Sequence, residues 1–234
     1  MAAPVADRMP SAWWRLQWTA PVLVACVAAL AIAGAYGLGH PWLHWVCKPA
    51  ATLLISAMAL RLPSLDPTYK RAVIGGLLLS TLGDVFLMLP GDWFVFGLGS
   101  FLLAHLAYLW ALTRRERLMA RPWPFVLYAV IAGCVLVYLW PSLPAALRLP
   151  VLAYVVVLAG MAAQAAAVWS LRRDPARSAA AVGSAFFVAS DATLAIDRFA
   201  LPLAAAPALV LATYWIAQTG IALSVATSPR SVRR

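Results

Sequence analysis

Charged side chains are scarce in this chain of 234 residues, and acidic ones are the scarcest. Lys, Arg, Asp and Glu make up 11% of the residues, whereas a soluble domain has about 25%. Hydrophobic residues make up 64%, and the mean hydropathy is +0.85. So few charges cannot cover a water-exposed surface, which excludes a soluble enzyme, a disordered chain and a secreted disulfide scaffold. The composition predicts an all-α integral membrane protein, with residues 1–234 forming a single polytopic domain.

Cysteine pairs and the common catalytic motifs are also missing. Cys26, Cys47 and Cys134 lie in apolar stretches without a C-x-x-C pair, so we expect them to pack as small apolar residues. The chain has no H-E-x-x-H, no G-x-S-x-G and no P-loop. The sequence therefore predicts neither a metal ion nor another cofactor.

Eight apolar segments are each long enough to cross a bilayer, which takes about 17–25 residues. The first follows Arg8 and Arg15, and a signal peptide is the alternative interpretation, although such a peptide has a shorter apolar core of about 7–15 residues. Proline and glycine mark many of the joints, including the run from Pro141 to Pro150. The predicted spans are residues 19–38, 42–60, 72–89, 94–112, 124–141, 149–170, 179–197 and 201–226.

The basic residues divide unequally between the two sides of these spans. Fifteen of the eighteen fall on one side, and only Lys48, Arg148 and Arg198 fall on the other. The crowded side of a membrane protein faces the cytoplasm. This predicts eight spans with both termini cytoplasmic, in a multi-pass protein of the inner cell membrane. The net charge of +10 therefore reflects topology, and we expect membrane lipids but no nucleic acid as partners; the oligomeric state stays open.

A weak internal repeat relates residues 19–112 to residues 124–226. The segments Gly76 to Asp84 and Gly183 to Asp191 have the same spacing. Four spans per repeat would make the two halves parallel in the membrane.

Two acidic residues lie well inside predicted spans. Asp84 and Asp191 stand roughly 20 Å above the basic residues Arg71 and Arg177 at the cytoplasmic ends, counted at about 1.5 Å per residue. Lys48 reaches the same level on the second span. A charge at the centre of a membrane helix costs about 2.5–3.5 kcal/mol, so such residues usually face a cavity or a partner. We therefore predict that these three side chains share a site. The alternatives are a Lys48 that snorkels to the outer interface and carboxyls that only link helices.

Further polar side chains lie near this layer. Tyr214 and Gln218 are four residues apart on the eighth span and share a face. His105 and Tyr108 are three apart on the fourth span, and Tyr154 lies on the sixth. These five are candidate supporting or substrate-binding residues, although a single polar group in a span often makes only an interhelical hydrogen bond.

Four stretches of the sequence carry closely spaced polar residues within apolar segments: LLLSTLGDVFLML, FGLGSFLLAHLAYLWAL, GSAFFVASDATLAIDRF and TYWIAQTGIALS. Together they resemble the YhhN family of membrane lysoplasmalogenases. The Lys48-Pro49 pair and Tyr154 with Met161 add to the resemblance, which covers residues 20–226. The family hydrolyses the vinyl ether bond of lysoplasmalogens to a fatty aldehyde and glycerophosphoethanolamine or glycerophosphocholine. The resemblance therefore implies a hydrolase whose substrate is a single-chain ether phospholipid.

Vinyl ether hydrolysis suits a pair of carboxyls. Protonation at carbon gives an oxocarbenium-like cation, water adds to it, and the resulting hemiacetal collapses to aldehyde and alcohol. The reaction needs an acid, an anion near the cation and a base for water, the roles that two carboxyls fill in glycosidases. We therefore predict Asp84 and Asp191 as the catalytic pair, without deciding which is the acid, and Lys48 as their support.

At the outer edge of the seventh span, Asp197 and Arg198 are adjacent, and we expect them to form an interfacial ion pair. We expect the head group of the lipid to reach this level, where Arg198 would attract its phosphate. A small-solute or proton-coupled transporter is the alternative function, because ionisable residues at mid-membrane and paired repeats are also typical of transporters. A non-catalytic membrane scaffold is a third interpretation.

Overall fold

The computed structural model describes residues 12–38, 40 and 42–226. Within this range the chain forms eight α-helices and no strand. A 3-10 turn at Trp140–Ser142 follows the fifth helix. The helices are α1 (Ala12–Ala35), α2 (Trp42–Arg61), α3 (Pro67–Met88), α4 (Phe94–Thr113), α5 (Trp123–Leu139), α6 (Ala145–Leu171), α7 (Pro175–Phe199) and α8 (Ala206–Leu223).

Seven of these helices, α2 to α8, are long and apolar enough to cross a membrane when the 3-10 turn is counted with α5. In α1, Ala20–Ala35 is an apolar helix of shorter length. The prediction of an all-helical membrane protein is thus confirmed, while the eighth span and the sidedness of the termini stay predictions. Arg8, Arg230, Arg233 and Arg234, on which that sidedness partly depends, lie outside the described residues.

Aspartate caps determine where α3 and α7 begin. The Asp66 carboxylate accepts hydrogen bonds from the backbone N–H groups of Thr68 and Tyr69, at 3.0 and 2.9 Å. The Asp174 carboxylate accepts one from the backbone N–H of Arg177, at 2.9 Å. Partial burial by itself raises the pKa of Asp174, but the hydrogen bonds and the charge of Arg177 lower this pKa below its ordinary value. Each cap is followed by a proline at the first helical position, so both helices begin at a well-determined residue.

Several helices begin at other residues than the predicted spans, and at two of these boundaries the structure gives the physical reason. Pro150 does not mark a joint, because α6 begins at Ala145 and continues through it; neighbouring helices in a membrane protein tolerate such a proline. The last helix begins at Ala206 rather than at residue 201. The Asp197 carboxylate accepts a hydrogen bond of 2.7 Å from the backbone N–H of Leu203, and this bond stabilises a non-helical turn before α8.

The helices form two consecutive groups of four. Within each group, α1–α4 and α5–α8, helices that are neighbours in sequence pack against each other. The two groups meet where α4 packs on α6 and where α8 packs on α1, α2 and α3. At the α7–α8 crossing a Cβ on Gly183 would lie 2.7 Å from the carbonyl oxygen of Ala217, so only glycine permits this approach. The helix α5 is peripheral and packs mainly on α6.

Candidate active site

Asp84 on α3 is the centre of a buried polar cluster. The Nζ atom of Lys48, on α2, lies 3.6 Å from Oδ1 of Asp84. The other carboxylate oxygen accepts hydrogen bonds from the hydroxyls of Thr52 and Tyr214, at 3.0 and 2.7 Å. Lys48 is 8% exposed and Asp84 is 2% exposed. Three helices therefore converge on one carboxylate, and the alternative in which Lys48 snorkels to the interface is wrong.

Asp191 on α7 has a different partner. The hydroxyl of Tyr154, on α6, donates a hydrogen bond to Oδ2 of Asp191. Over the described part of the chain, no Lys or Arg forms an ion pair with Asp191. One carboxyl thus faces a cation, whereas the other faces a neutral phenol.

Both carboxyls line the same cavity, which has a volume of about 140 Å³. Lys48, Tyr154 and Tyr214 are also in its wall, so the structure brings five of the eight predicted residues together. Most of the remaining wall is apolar and comes from α5, α6 and α7. Such a cavity holds a narrow apolar group next to a polar wall that contains two carboxyls. The apolar wall includes Tyr128, Ile131, Val135, Leu158 and Val188.

The other three predicted residues, His105, Tyr108 and Gln218, do not line this cavity. The Tyr108 hydroxyl donates a hydrogen bond to Oε1 of Gln218 at 2.9 Å, which connects α4 to α8. His105 is completely buried, and its ring lies 4.5 Å from that of Phe187 and 5.3 Å from that of Tyr154. These positions allow a supporting role through helix packing and do not provide direct contact with a molecule in the cavity.

Sequence reasoning missed two contributors to the cluster. Thr52 lies four residues after Lys48 on α2 and shares its face, so helical spacing alone would have identified it. Phe187 packs edge-on against Tyr214, with ring centroids 5.6 Å apart, and helps to hold the phenol near Asp84. No sequence signal distinguishes this phenylalanine in a chain rich in apolar residues.

The predicted Asp197–Arg198 pair is wrong. Arg198 forms its ion pair with Asp92, in the turn between α3 and α4, at 3.2 Å. Adjacent residues of a helix point about 100° apart and do not face each other. Asp197 is instead used by the turn that precedes α8.

A metal site would need several metal-binding side chains close together. Among the residues that the structure describes, no three His, Cys, Asp or Glu side chains come together in a group able to hold a metal ion.

Comparison with known proteins places these residues in a family. The family profile described as YhhN matches residues 43–225. The chain is 36% identical to a Mycobacterium bovis protein named lysoplasmalogenase over 210 residues, which cover 85% of this chain and 77% of that protein. It is also 36% identical to lysoplasmalogenase TMEM86B of Sus scrofa over 190 residues, which cover 79% and 75% of the two chains.

A bacterial relative of lower identity carries the family name itself. The membrane protein YhhN of Escherichia coli is 27% identical over 170 residues, which cover 72% of this chain and 80% of that protein. No solved structure matches the chain. Because the family profile spans most of the sequence and relatives at 36% identity align over most of both lengths, this chain belongs to the YhhN family.

Proposed function

We propose that this protein is a membrane lysoplasmalogenase. It adds water across the vinyl ether bond of a single-chain ether phospholipid and releases a fatty aldehyde with glycerophosphoethanolamine or glycerophosphocholine. Relatives from Mycobacterium bovis and Sus scrofa carry the name lysoplasmalogenase. The observation that carries the proposal is the pair of carboxyls on one apolar cavity, one beside a cation and one beside a phenol.

Asp191 is the general acid in this proposal. A buried carboxyl without a cation beside it is more stable as the neutral acid, because removal from water penalises its charge. Tyr154 donates to one carboxyl oxygen and leaves the other to carry the proton. Asp191 gives this proton to the vinyl carbon that does not bear oxygen, and the electron pair of the double bond forms the new C–H bond. The carbon attached to oxygen becomes part of an oxocarbenium ion.

Asp84 is the anion in this proposal. Lys48 and the hydroxyls of Thr52 and Tyr214 stabilise its negative charge. The carboxylate therefore stabilises the developing oxocarbenium ion without having to reorient, as fixed charges do in other active sites. It then accepts a proton from water while the water oxygen bonds to the cationic carbon, which gives a hemiacetal.

Collapse of the hemiacetal restores both carboxyls. The hemiacetal hydroxyl returns its proton to Asp191, and the glycerol oxygen takes a proton from Asp84 as the C–O bond breaks. One water is consumed, and one aldehyde and one alcohol are formed. The proposal uses no metal ion and no cofactor.

The same proposal includes the topology: eight spans in the inner cell membrane, both termini in the cytoplasm and two parallel repeats of four helices. Supporting it, α3 and α7 each begin with an Asp-Pro pair, Asp66-Pro67 and Asp174-Pro175, and each carries a membrane carboxyl at nearly the same distance from that pair. The sequence-adjacent helices of both halves also pack in the same order. Reporter fusions at Ser231 and in the turn at Gly91 should report opposite sides of the membrane; the same side for both would contradict this topology.

The test of the reaction uses purified protein in detergent with lysoplasmenylethanolamine, and it measures release of fatty aldehyde. An acyl lysophospholipid of the same chain length is the control and should give no aldehyde. Hydrolysis needs no sealed compartment, whereas transport does, so aldehyde release also excludes a protein that is only a transporter. A well-folded wild-type protein that releases no aldehyde would contradict the proposed reaction.

A further inference from the structure

A second recess, of about 210 Å³, lies beside the cavity that contains the carboxyls. It is formed by the turn between α3 and α4 and by the last turn of α7. Leu87 and Phe94 line both the recess and the cavity, so the two spaces adjoin. Gly91 permits the tight turn at its rim, since its φ of +101° is unfavourable for other residues. The recess is therefore adjacent to the cavity, with Leu87 and Phe94 between the two spaces.

The recess contains one charge of each sign. Arg198 and Asp92 form an ion pair at 3.2 Å, and their side chains are 41% and 81% exposed. Such an exposed pair contributes little net stability, so its two partners exchange readily for other charges. The guanidinium carbon of Arg198 lies 4.1 Å from the ring centroid of Phe94, which places the cation at the boundary between recess and cavity.

An aromatic face completes the recess. Trp93 is a lining residue directly after Asp92 in the chain. Its ring stacks on Phe86 with centroids 6.1 Å apart and lies 5.3 Å from the ring of Phe96, which restricts its orientation. Tryptophan is the aromatic side chain that attracts cations most strongly, and quaternary ammonium groups are bound in this way.

We propose that this recess binds the head group of a zwitterionic lysophospholipid, with the phosphate on Arg198 and the terminal ammonium between Asp92 and Trp93. The inference rests on the proposed function and assigns the residues that bind the head group of its substrate. A zwitterion that lies antiparallel to the Arg198–Asp92 pair gives each protein charge a new partner of opposite sign. A head group that carries only a phosphate leaves Asp92 facing a second negative charge, so the recess discriminates against it.

The position of the recess matches the length of the substrate. Arg198 lies about 10 Å beyond Asp191 along α7, at a rise of about 1.5 Å per residue. In a lysoplasmalogen the phosphate and the vinyl ether are separated by the three carbons and two oxygens of the glycerol unit. This unit spans less than the rise along α7, so the long side chain of Arg198 has to bridge the difference. With the phosphate on Arg198, the vinyl ether reaches the two carboxyls, and the alkyl chain continues along the apolar wall.

The test compares head groups on the same alkenyl chain. Wild type, Asp92→Asn and Arg198→Gln are assayed with lysoplasmenylcholine and with the alkenyl glycerophosphate that lacks the ammonium. For Asp92→Asn we expect KM for the choline lipid to rise and KM for the phosphate lipid to fall, each by about 2- to 5-fold for one exposed ionic contact, with kcat little changed. Arg198→Gln should raise KM for both lipids. An ion pair with only a structural role would not reverse the head-group preference.

Arg148 provides the matched control. Its guanidinium lies 5.0 Å from the ring of Trp140 where α5 joins α6, and it lines neither the recess nor the cavity. Arg148→Gln should leave the ratio of the two KM values unchanged. Asp92→Glu, which keeps the charge, should restore much of the wild-type preference and so separates charge from folding effects.

Binding of saturated alkyl analogues separates this inference from the proposed reaction. These lipids carry the same head groups but have no vinyl ether to cleave, and their Kd values are measured in detergent with the same variants. Wild type could release no aldehyde and still bind alkyl phosphocholine more tightly than alkyl glycerophosphate, with this order reversed in Asp92→Asn. That result would contradict the proposed reaction but support binding of the head group in the recess. An unchanged order of Kd values in Asp92→Asn would overturn the recess even if aldehyde is released.

Discussion

The ammonium of Lys48 and the carboxylate of Asp84 lie 3.6 Å apart in the interior of the helix bundle. A buried charge without a partner is strongly unfavourable, so each side chain depends on the other. Asp191 lines the same cavity but is bonded to the neutral phenol of Tyr154. Because their partners differ, we assign Asp84 as the anion and Asp191 as the acid, and substitution of the partners tests this assignment.

Replacing either carboxyl by its amide should abolish most turnover. General acid–base groups contribute about 10²–10⁴-fold, so Asp84→Asn and Asp191→Asn should each lower kcat by that order. Residues that act as a unit are not additive, and the double variant should be hardly slower than either single one. Single-turnover aldehyde release measures these rates. An Asn variant with near-normal kcat would mean that its aspartate only links helices.

The pH–rate profile should be bell-shaped, because the mechanism needs Asp84 ionised and Asp191 protonated. Its two limbs belong to the coupled pair rather than to single residues. In Lys48→Met the charge that favours ionised Asp84 is gone, so the acidic limb should move to higher pH. Lys70→Met is the control, since Lys70 lines no part of the cavity and its ammonium binds the carbonyl oxygens of Leu60 and Leu62, at 2.7 Å each. A profile that is the same in Lys48→Met and wild type would contradict this role for Lys48.

Lys48→Met should also destabilise the protein, by about 3–5 kcal/mol, because it leaves the Asp84 charge buried and unpaired. The double variant Lys48→Met/Asp84→Asn should recover part of this loss, since it removes both charges. Thermal unfolding in detergent at constant pH measures the difference. A double variant less stable than Lys48→Met would show that the two charges do not depend on each other.

Substitution of three tyrosines distinguishes residues that act in the cavity from residues that only pack helices together. Tyr154 and Tyr214 donate hydrogen bonds to the two carboxyls from the cavity wall, whereas Tyr108 bonds Gln218 away from it. Tyr214→Phe should therefore lower kcat by roughly tenfold, because it removes a charge-assisted hydrogen bond to Asp84. Tyr154→Phe should also lower kcat, because Tyr154 orients the protonated Asp191. Tyr108→Phe should lower the unfolding temperature and leave kcat nearly unchanged. Equal losses of kcat in all three would place Tyr108 in the reaction.

Two adjacent glycines on α3 give a matched pair of packing variants. A Cβ on Gly76 would collide with the ring of Tyr108, whereas one on Gly75 would meet no atom within 4 Å. Gly76→Ala should therefore destabilise the protein by about 1–3 kcal/mol through overpacking. Gly75→Ala should be neutral or stabilising by up to about 1 kcal/mol, because alanine favours the helix. Unfolding in detergent compares the two, and a neutral Gly76→Ala would argue against this close approach of α3 and α4.

The cavity should accept one alkyl chain more readily than two. Its volume is about 140 Å³, and its apolar wall lies between α5, α6 and α7. We expect faster aldehyde release from lysoplasmalogens than from plasmalogens that carry a second acyl chain, measured as kcat/KM in the same micelles. Ala159→Phe places a larger side chain in the wall and so narrows the cavity. It should raise KM for long-chain substrates more than for short-chain ones. Equal kcat/KM values for one-chain and two-chain lipids would contradict a single-chain site.

Apolar length and helical rise are local properties of a segment. The membrane class, the approximate helix positions and the common level of Lys48, Asp84 and Asp191 could for this reason be predicted from the residues alone. Depth along a helix follows from counting residues. The rotation of each helix about its axis does not, because it depends on how side chains of distant segments pack against one another. Sequence reasoning therefore grouped Tyr108 and Gln218 with the carboxyls, although these two side chains bond to each other and do not line the cavity.

Partner choice was decided only by the tertiary structure. Arg198 pairs with Asp92, which is distant in sequence, because the turn after α3 packs beside the end of α7. Lys48 reaches Asp84 and not Asp191 because α2 packs on α3, while Asp191 faces α6 and its Tyr154. Charges on separate helices find partners through helix packing, and that packing is a property of the whole bundle rather than of any one segment.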